Sequence, residues 1–279
     1  MVQISEAELD ARISELPPLS PVVNELLELL NQPSVDYAAL ERSAVREPTL
    51  VARVLRLANS PFFGVSGQIA TFREACLVLG SRSLRQVIMA ISMMDTLAVD
   101  GKLLELRQVW LHALAVAAIA RHLAPSQHID PDYAFTAGLL HDIGKLALAA
   151  FFAGPYAQAM AHKRQSGCSL VDAEREQLGF DHGMAGEKLA RKWHLPEDMA
   201  LAIGRHHRPD DAENALVDLI HFADVLAHAL EYGMDEGEGE VVPRLHATVW
   251  NRLGWDWTRI GALLPSLDSE ARAAGAIEL

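Results

Sequence analysis

FTAGLLHDIGKLALA, residues 135–149, is apolar almost throughout and carries three strongly polar side chains, His141, Asp142 and Lys145. The pattern predicts a buried helix, and one turn of it presents all three together, because residues three and four apart share a face. An ionised carboxylate inside such a helix is costly unless a cation or several hydrogen-bond donors compensate it. Further polar groups are therefore expected elsewhere in the chain, at positions where the periodicity calls for apolar ones.

Two such groups flank this stretch. His112 interrupts the apolar helix RQVWLHALAVAAIA (107–120), and Asp224 lies in LVDLIHFADVLAHAL (216–230) beside the stripe Leu216, Leu219, Ile220 and Ala223. Taken alone, His112 reads equally as a core histidine bonded to a neighbouring carbonyl, and Asp224 as a partner of His221, three residues earlier. Together with His141 and Asp142 they offer two imidazoles and two carboxylates from three helices, a set suited to a divalent metal such as Fe, Mn or Zn inside a bundle. His182 opens the helix of DHGMAGEKLARKW (181–193), and His206 and His207 close that of LPEDMALAIGRHHRP (195–209). A histidine in a last turn also complements the helix dipole. The ordered set of seven, His112, His141, Asp142, His182, His206, His207 and Asp224, suffices for two metals sharing one carboxylate. Two metals clamp a phosphate and generate a nucleophilic hydroxide at neutral pH, the arrangement suited to phosphoester hydrolysis. Lys145 could hold a phosphate oxygen, or simply pair with a nearby carboxylate.

The rest of the chain is helical by the same criterion. Apolar residues recur at helical spacing in Val23, Leu26, Leu27 and Leu30, in Val51, Val54, Leu55 and Ala58, and in Leu84, Val87, Ile88 and Ile91. Boundary signals agree: Asp130 before Pro131 is an N-cap with proline at N1, Ser169 with Asp172 a capping pattern, and Gly179 a stop. No alternating strand pattern appears, so the fold class is all-α. Residues 1–100 read as an N-terminal helical subdomain, 101–232 as the histidine-bearing one, with a polar turn at Asp100 and Gly101 between them. Residues 233–279 form an acidic loop, DEGEGE at 235–240, followed by a C-terminal helical segment. Trp250, Trp255 and Trp257 there read as core or partner contacts rather than a cofactor box.

The 279 residues are 50% hydrophobic and carry 24 Lys+Arg against 37 Asp+Glu, a net charge of −13. This composition buries a sizeable core and excludes disorder as the main state. It provides no cationic face for general nucleic-acid binding. The first residues, MVQISEAELDARISELPPLS, lack the basic start and apolar core of a signal peptide, and the apolar stretches around Trp110 to Ala120 and Tyr133 to Leu140 read as too short to span a membrane. A cytoplasmic protein without membrane contact is expected. Cys76 and Cys168, far apart and without a CxxC partner, suggest neither a disulfide framework nor a thiolate zinc site.

HDIGK with a preceding His and a following Asp resembles the HD superfamily of metal-dependent phosphohydrolases. The first half is closer still to one branch of it. LPPLSPVVNELLELL (16–30), REPTLVARVLRLANSPFFG (46–64) and TFREACLVLGSRSLRQVIMAISM (71–93) resemble the HDOD family through Glu47 and Pro48 before a helix, the LANS segment with Asn59 and Ser60, and the pair Leu79 and Gly80. The resemblance runs from about Leu16 to about Leu230. It implies an N-terminal helical bundle packed against an HD-like helical bundle, in bacterial regulators whose members often lack HD ligands and act as interaction modules.

This chain keeps the ligands, in an order similar to the HD-GYP cyclic dinucleotide phosphodiesterases. That likeness implies one metal held by His112, His141, Asp142 and Asp224, a second by His182, His206 and His207 with Asp142 bridging, and Lys145 as the phosphate-contacting lysine. The chain departs from the pattern after His207, where RPDDAENALVDLIHFAD contains no GYP motif and reaches Asp224 by a short path. Three functions follow as expectations. One is a regulatory module contacting signalling proteins through its helical surfaces, with two divalent ions, Fe or Mn ahead of Zn. Another is a phosphohydrolase or phosphodiesterase acting on a nucleotide or cyclic dinucleotide, with Asp142 and Lys145 in the reaction. The third is a redox or oxygen sensor built on a di-iron centre.

Overall fold

Helices begin in this chain where a short polar side chain can take up the free N–H groups of a first turn. Ser5 does so for α1 (Glu6–Ser14), Ser20 for α2 (Pro21–Leu30) and Asp36 for α3 (Tyr37–Ala44). Glu47 and Pro48 start α4 (Pro48–Ala58), with proline in the first turn, and Thr71 with Glu74 forms a reciprocal capping box at α5 (Phe72–Asp95). In the second half Asp130, Ser169, Asp181 and Asn214 cap in this way, and several other helices start without a side-chain cap. The elements of this half are α6 (Leu106–Leu123), α7 (Pro131–Leu140), α8 (Ile143–Phe151), α9 (Ala153–Ser166), α10 (Leu170–Leu178), α11 (His182–Lys192), α12 (Glu197–Arg205), α13 (Ala215–Ala229), α14 (Ala247–Leu253) and α15 (Trp257–Gly275). The caps expected at Asp130 and Ser169 and the stop at Gly179 are all present.

The computed structural model describes residues 4–59, 68–97, 99, 104–233 and 242–275, and no strand occurs among them. Ser60 of the LANS segment, the expected boundary at residues 100 and 101, and the DEGEGE run lie outside the described residues. Asn59 explains its own place in that motif: its side chain donates to the carbonyls of Leu55 and Ile69 and accepts from the Ile69 N–H, tying the end of α4 to the approach to α5.

Helices α2 to α5 pack together in the N-terminal half, and α5 carries the contact to the second half. It does so through a break. Gly80 sits at φ +77° and ψ +156°, backbone that only glycine adopts readily, and the residues just beyond it reach α7 and its cap. Ser83 Oγ donates to Asp132 (2.7 Å) and Arg82 pairs with Asp130 (2.9 Å). Helix α1 belongs elsewhere in space: it lies on α11, with the Ile4 N–H donating to the Leu178 carbonyl and Lys188 paired with Asp10.

The centre of the second half is α6 against α7, α13 and α15. The run Ala113 to Ala120 is buried on every side, and its small side chains let α7 approach closely. Two stretches, Phe72–Asp95 and Pro131–Phe151, are long and apolar enough to cross a membrane by length and composition, which exceeds the sequence expectation. Each is interrupted, at Gly80 and at Asp142, and 83% of the second is buried within the protein. Of the C-terminal tryptophans Trp255 is buried and Trp250 half-buried, whereas Trp257 is 68% exposed. Trp255 meets Phe222 of α13 edge-on, and Trp250 stacks on Trp257 at 4.4 Å.

Candidate metal centre

His141 and Asp142 do not lie within one continuous helix, contrary to the sequence expectation. Helix α7 ends at Leu140, Asp142 leaves helical geometry at φ −100° and ψ 10°, and α8 starts at Ile143. The break has a tertiary cause. Gly144 presses against the start of α11 so closely that a Cβ there would stand 1.8 Å from the His182 carbonyl oxygen. On a straight helix, adjacent side chains diverge by about 100°; across this break they converge, with His141 Nε2 3.2 Å from Asp142 Oδ2.

The seven expected ligands form one buried cluster. The ligand atoms of Asp142, His182, His206 and His207 lie within 4.8 Å of one another, as do those of His112, His141 and Asp224. Asp142 stands between the groups. Its Oδ1 is 3.2 Å from His182 Nε2 and 3.7 Å from His206 Nε2, and its Oδ2 is 3.8 Å from His112 Nε2 in addition to its contact with His141. Asp224 Oδ1 is 3.0 Å from His112 Nε2 and 3.7 Å from His141 Nε2. Lys145 borders the cluster, its Nζ 2.5 Å from Asp142 Oδ2.

Four imidazoles are oriented from behind in the same way. Nδ1 of His112 faces the Tyr232 carbonyl (3.1 Å), that of His141 the Gly138 carbonyl (2.7 Å), that of His206 the Ile203 carbonyl (2.8 Å), and that of His182 the Glu174 carboxylate (2.6 Å). A carbonyl only accepts, so Nδ1 carries the proton and Nε2 turns a lone pair toward the cluster in the neutral ring. Oxygen partners of this kind orient histidine ligands around metals. Nε2 of His141 and His206, Oδ1 of Asp142 and Oδ2 of Asp224 are buried without a hydrogen-bond partner. Each such atom costs about 1–3 kcal/mol. The donor set of imidazole nitrogen and carboxylate oxygen fits divalent Fe, Mn or Zn.

Neither simpler reading of the flanking residues accounts for this arrangement. His112 does meet a carbonyl, but through Nδ1, which leaves Nε2 for the cluster. His221 does not hydrogen-bond Asp224: its Nδ1 donates to the His206 carbonyl (2.6 Å) and its Nε2 accepts the His246 N–H.

Without a metal, protons must supply the compensating charge. Burial presses the His141 imidazole down, but the facing Asp142 carboxylate carries it up to about 10. His182 follows the same logic: burial opposes its charge, yet Glu174 and Asp142 raise it to about 9. Burial and the neighbouring His141 hold His206 down to about 3, and burial together with His206 keeps His207 well below its usual range. Burial favours protonation of Asp142 and Asp224, but His141 and Lys145 around the first, and His228 and His112 around the second, hold both well below the ordinary carboxylate range.

Two residues of this site were not anticipated. Glu174 of α10 is fully buried and also accepts the His182 backbone N–H (2.9 Å). Its signal was present, because it lies three residues after Val171 and four before Leu178 on the buried face of α10, where a carboxylate is out of place. His228, one turn after Asp224 on α13, places Nε2 3.3 Å from Asp224 Oδ1.

Solvent reaches the cluster through two clefts of about 210 and 330 Å³. The smaller is lined by His112, Asp142, Lys145, Lys163 and Arg164, the larger by Lys145, Arg175, His182, His207 and Arg244. Basic side chains outnumber the carboxylates at both openings, Glu105 and Asp142 at the smaller and Asp172 at the larger, in a chain of net charge −13.

The signature of the HDOD domain matches residues 16–209. The fold superposes on an HDOD domain protein of unknown function from Geobacter sulfurreducens with a TM-score of 0.76 at 25% identity, covering 98% of this chain and 99% of that one. For a phosphohydrolase-like protein from Shewanella amazonensis the TM-score is 0.75 at 27% identity, covering 96% and 97%. An uncharacterized protein of Treponema pallidum is 24% identical over 250 residues, 85% of this chain and 46% of its own. Ribonuclease Y of Thermus thermophilus is 32% identical over 141 residues, 50% of this chain and 20% of its own. The chain therefore spans less than half the length of these two curated relatives. With a domain signature over most of its length and a helical fold shared nearly end to end, the protein belongs to the HDOD domain family.

Proposed function

We propose that the protein is a bacterial HDOD signalling module whose second bundle holds a binuclear divalent-metal centre able to bind and hydrolyse a phosphoester. The supporting observation is the convergence of four buried polar atoms without hydrogen-bond partners, on His141, Asp142, His206 and Asp224, among imidazoles already oriented from behind. His112, His141, Asp142 and Asp224 on one side and His182, His206 and His207 on the other would hold the two ions, with Asp142 standing between the groups. Two divalent ions, when bound, supply positive charge to phosphoryl oxygens and acidify water.

The chain's own residues supply the rest. Lys145 lines both clefts and is positioned to take a phosphate oxygen. Lys163 and Arg164 at one mouth, and Arg175 and Arg244 at the other, draw an anion into an otherwise acidic protein. A nucleotide or cyclic dinucleotide has this chemistry, and the ribonuclease name of one relative points to the same class of bond. Fe or Mn suits the mixed imidazole and carboxylate set, with Zn next.

A second reading, a protein relay without turnover, is favoured by two features. The path from His207 to Asp224 is closed by a short 3-10 turn at Pro209–Asp211 and the Asn214 cap, with no long loop to shape a substrate pocket. The N-terminal bundle also exposes Val45 (77%) and Leu77 (61%), apolar contacts available to a signalling protein. Both readings place the module in the cytoplasm.

Metal analysis of protein purified anaerobically, without added metal or a His tag, tests the centre. About two ions per chain, lost together in Asp142→Ala, is the expected result. Hydrolysis across a nucleotide and cyclic dinucleotide panel, abolished by Asp142→Ala, then supports the enzyme. Two bound ions without any hydrolysis supports the relay, and no metal even after reconstitution overturns the centre.

A further inference from the structure

We infer that His228 is an additional metal ligand, completing the coordination of the ion held by His112, His141 and Asp224. The inference rests on the metal reading of the site and extends it by a residue outside the seven.

Asp224 Oδ1 faces three imidazole nitrogens: His112 Nε2 at 3.0 Å, His228 Nε2 at 3.3 Å and His141 Nε2 at 3.7 Å. Donors bound tetrahedrally to one ion at 2.0–2.1 Å stand about 3.3–3.4 Å apart. From Asp224 Oδ1 the His228 separation matches that value, the His112 one is shorter and the His141 one longer. Nδ1 of His112 and of His141 is committed to a carbonyl, so in the neutral rings two nitrogen lone pairs confront a carboxylate oxygen, an arrangement that calls for a proton or a metal ion among them. His228 stands beside two members of this trio, Asp224 and His112. Its ring centroid is 4.4 Å from that of His112, and it lines both clefts, with 12% of its side chain accessible. It follows Asp224 by one turn of α13, so a single helical face delivers both donors. His112, His141 and Asp224 with the shared Asp142 would hold the ion, and His228 would add a ligand from the cleft lining, where solvent and an incoming anion reach it.

The test uses the full-length chain freed of metal and titrated anaerobically with Co(II), read by visible absorption and by elemental analysis. The wild type is expected to take up two ions, and His228→Gln to bind one of them at least tenfold more weakly, with an altered ligand-field band. His228→Cys provides a direct readout, because a coordinated thiolate adds a near-ultraviolet charge-transfer band that an uncoordinated one does not. Far-UV circular dichroism of both variants confirms the fold. Two ions bound by His228→Gln with wild-type affinity and spectrum, and no thiolate band in His228→Cys, would overturn the ligand role while leaving the binuclear centre standing. A wild type that takes up no Co(II) would overturn both.

Discussion

At the scale of single residues, the site is an arrangement of charge in a place without water. Glu174 gives His182 a full negative charge behind Nδ1, whereas His112, His141 and His206 have only carbonyl dipoles. Removing that charge while keeping an acceptor, as in Glu174→Gln, is expected to weaken metal binding about 10–100-fold without loss of helical content, measured by competition with a chelating dye. The same residues set a pH dependence in the metal-free protein. His141 and His182 have folded-state values raised to about 10 and about 9, so their contribution is complete below the unfolded value near 6.5 and is lost as pH rises toward 9–10. His112, His206, His207 and His221 are lowered, so they favour the fold above about 6.5 and oppose it as pH falls and the unfolded chain takes up protons. The two slopes meet, and metal-free protein should be most stable near pH 6.5–7. Metal displaces the stored protons, so the loaded protein should gain stability toward pH 8–9 where the metal-free form loses it. Thermal melts of both forms from pH 5 to 9 check this; parallel profiles would contradict it.

At the scale of the elements, two glycines do different work and should fail differently. Gly80 has open space where a Cβ would stand but an unusual backbone, so Gly80→Ala is expected to cost about 1–3 kcal/mol in chemical denaturation while leaving metal uptake intact. Gly144 has ordinary backbone but no room, since its Cβ would meet the His182 carbonyl oxygen. Gly144→Ala must push α8 from α11 and separate Asp142 from His182, so metal uptake should fall along with stability. Equal metal uptake in the two variants would refute the assignment. These elements also show what the sequence could convey. The caps at Asp130 and Ser169 and the stop at Gly179 were legible because capping is local chemistry, satisfied within three or four residues. The break at Asp142 was not, because no proline or glycine occupies residues 141–142 and its cause lies in α11, about forty residues away. The seven residues of the cluster were legible as polar residues on apolar stripes, and His228 and Glu174 passed unnoticed because each has an ordinary reading until its contact with Asp224 or His182 is seen.

At the scale of the molecule, the cluster joins segments that are distant in the chain, and that determines what metal removal does. Tyr232 offers its carbonyl to His112 and donates its hydroxyl to Asp268 of α15, linking the C-terminal helix to the ligand on α6. Arg252 of α14 is bonded to Asp218 of α13 and to the Pro209 carbonyl, bracing the turn after His207. His221 holds the His206 carbonyl and receives the His246 N–H, so both C-terminal helices border the site from behind. The cluster residues come from α6, the α7–α8 junction, α11, the end of α12 and α13, so on the proposed assignment each ion would join three of these segments, the pair all five, and both would bind the folded chain only. At a free concentration a thousand times its dissociation constant, each such ion stabilises the fold by about 4 kcal/mol. A domain of this size shifts its melting temperature by about 2–4 °C per kcal/mol, so removing one ion with a chelator should lower Tm by roughly 8–16 °C. Asp142→Ala, which lacks the shared ligand, should melt at the same temperature with and without chelator. Differential scanning calorimetry makes the comparison: a wild type indifferent to chelation after confirmed metal loading would mean that hydrogen bonds and stored protons alone hold the second bundle together.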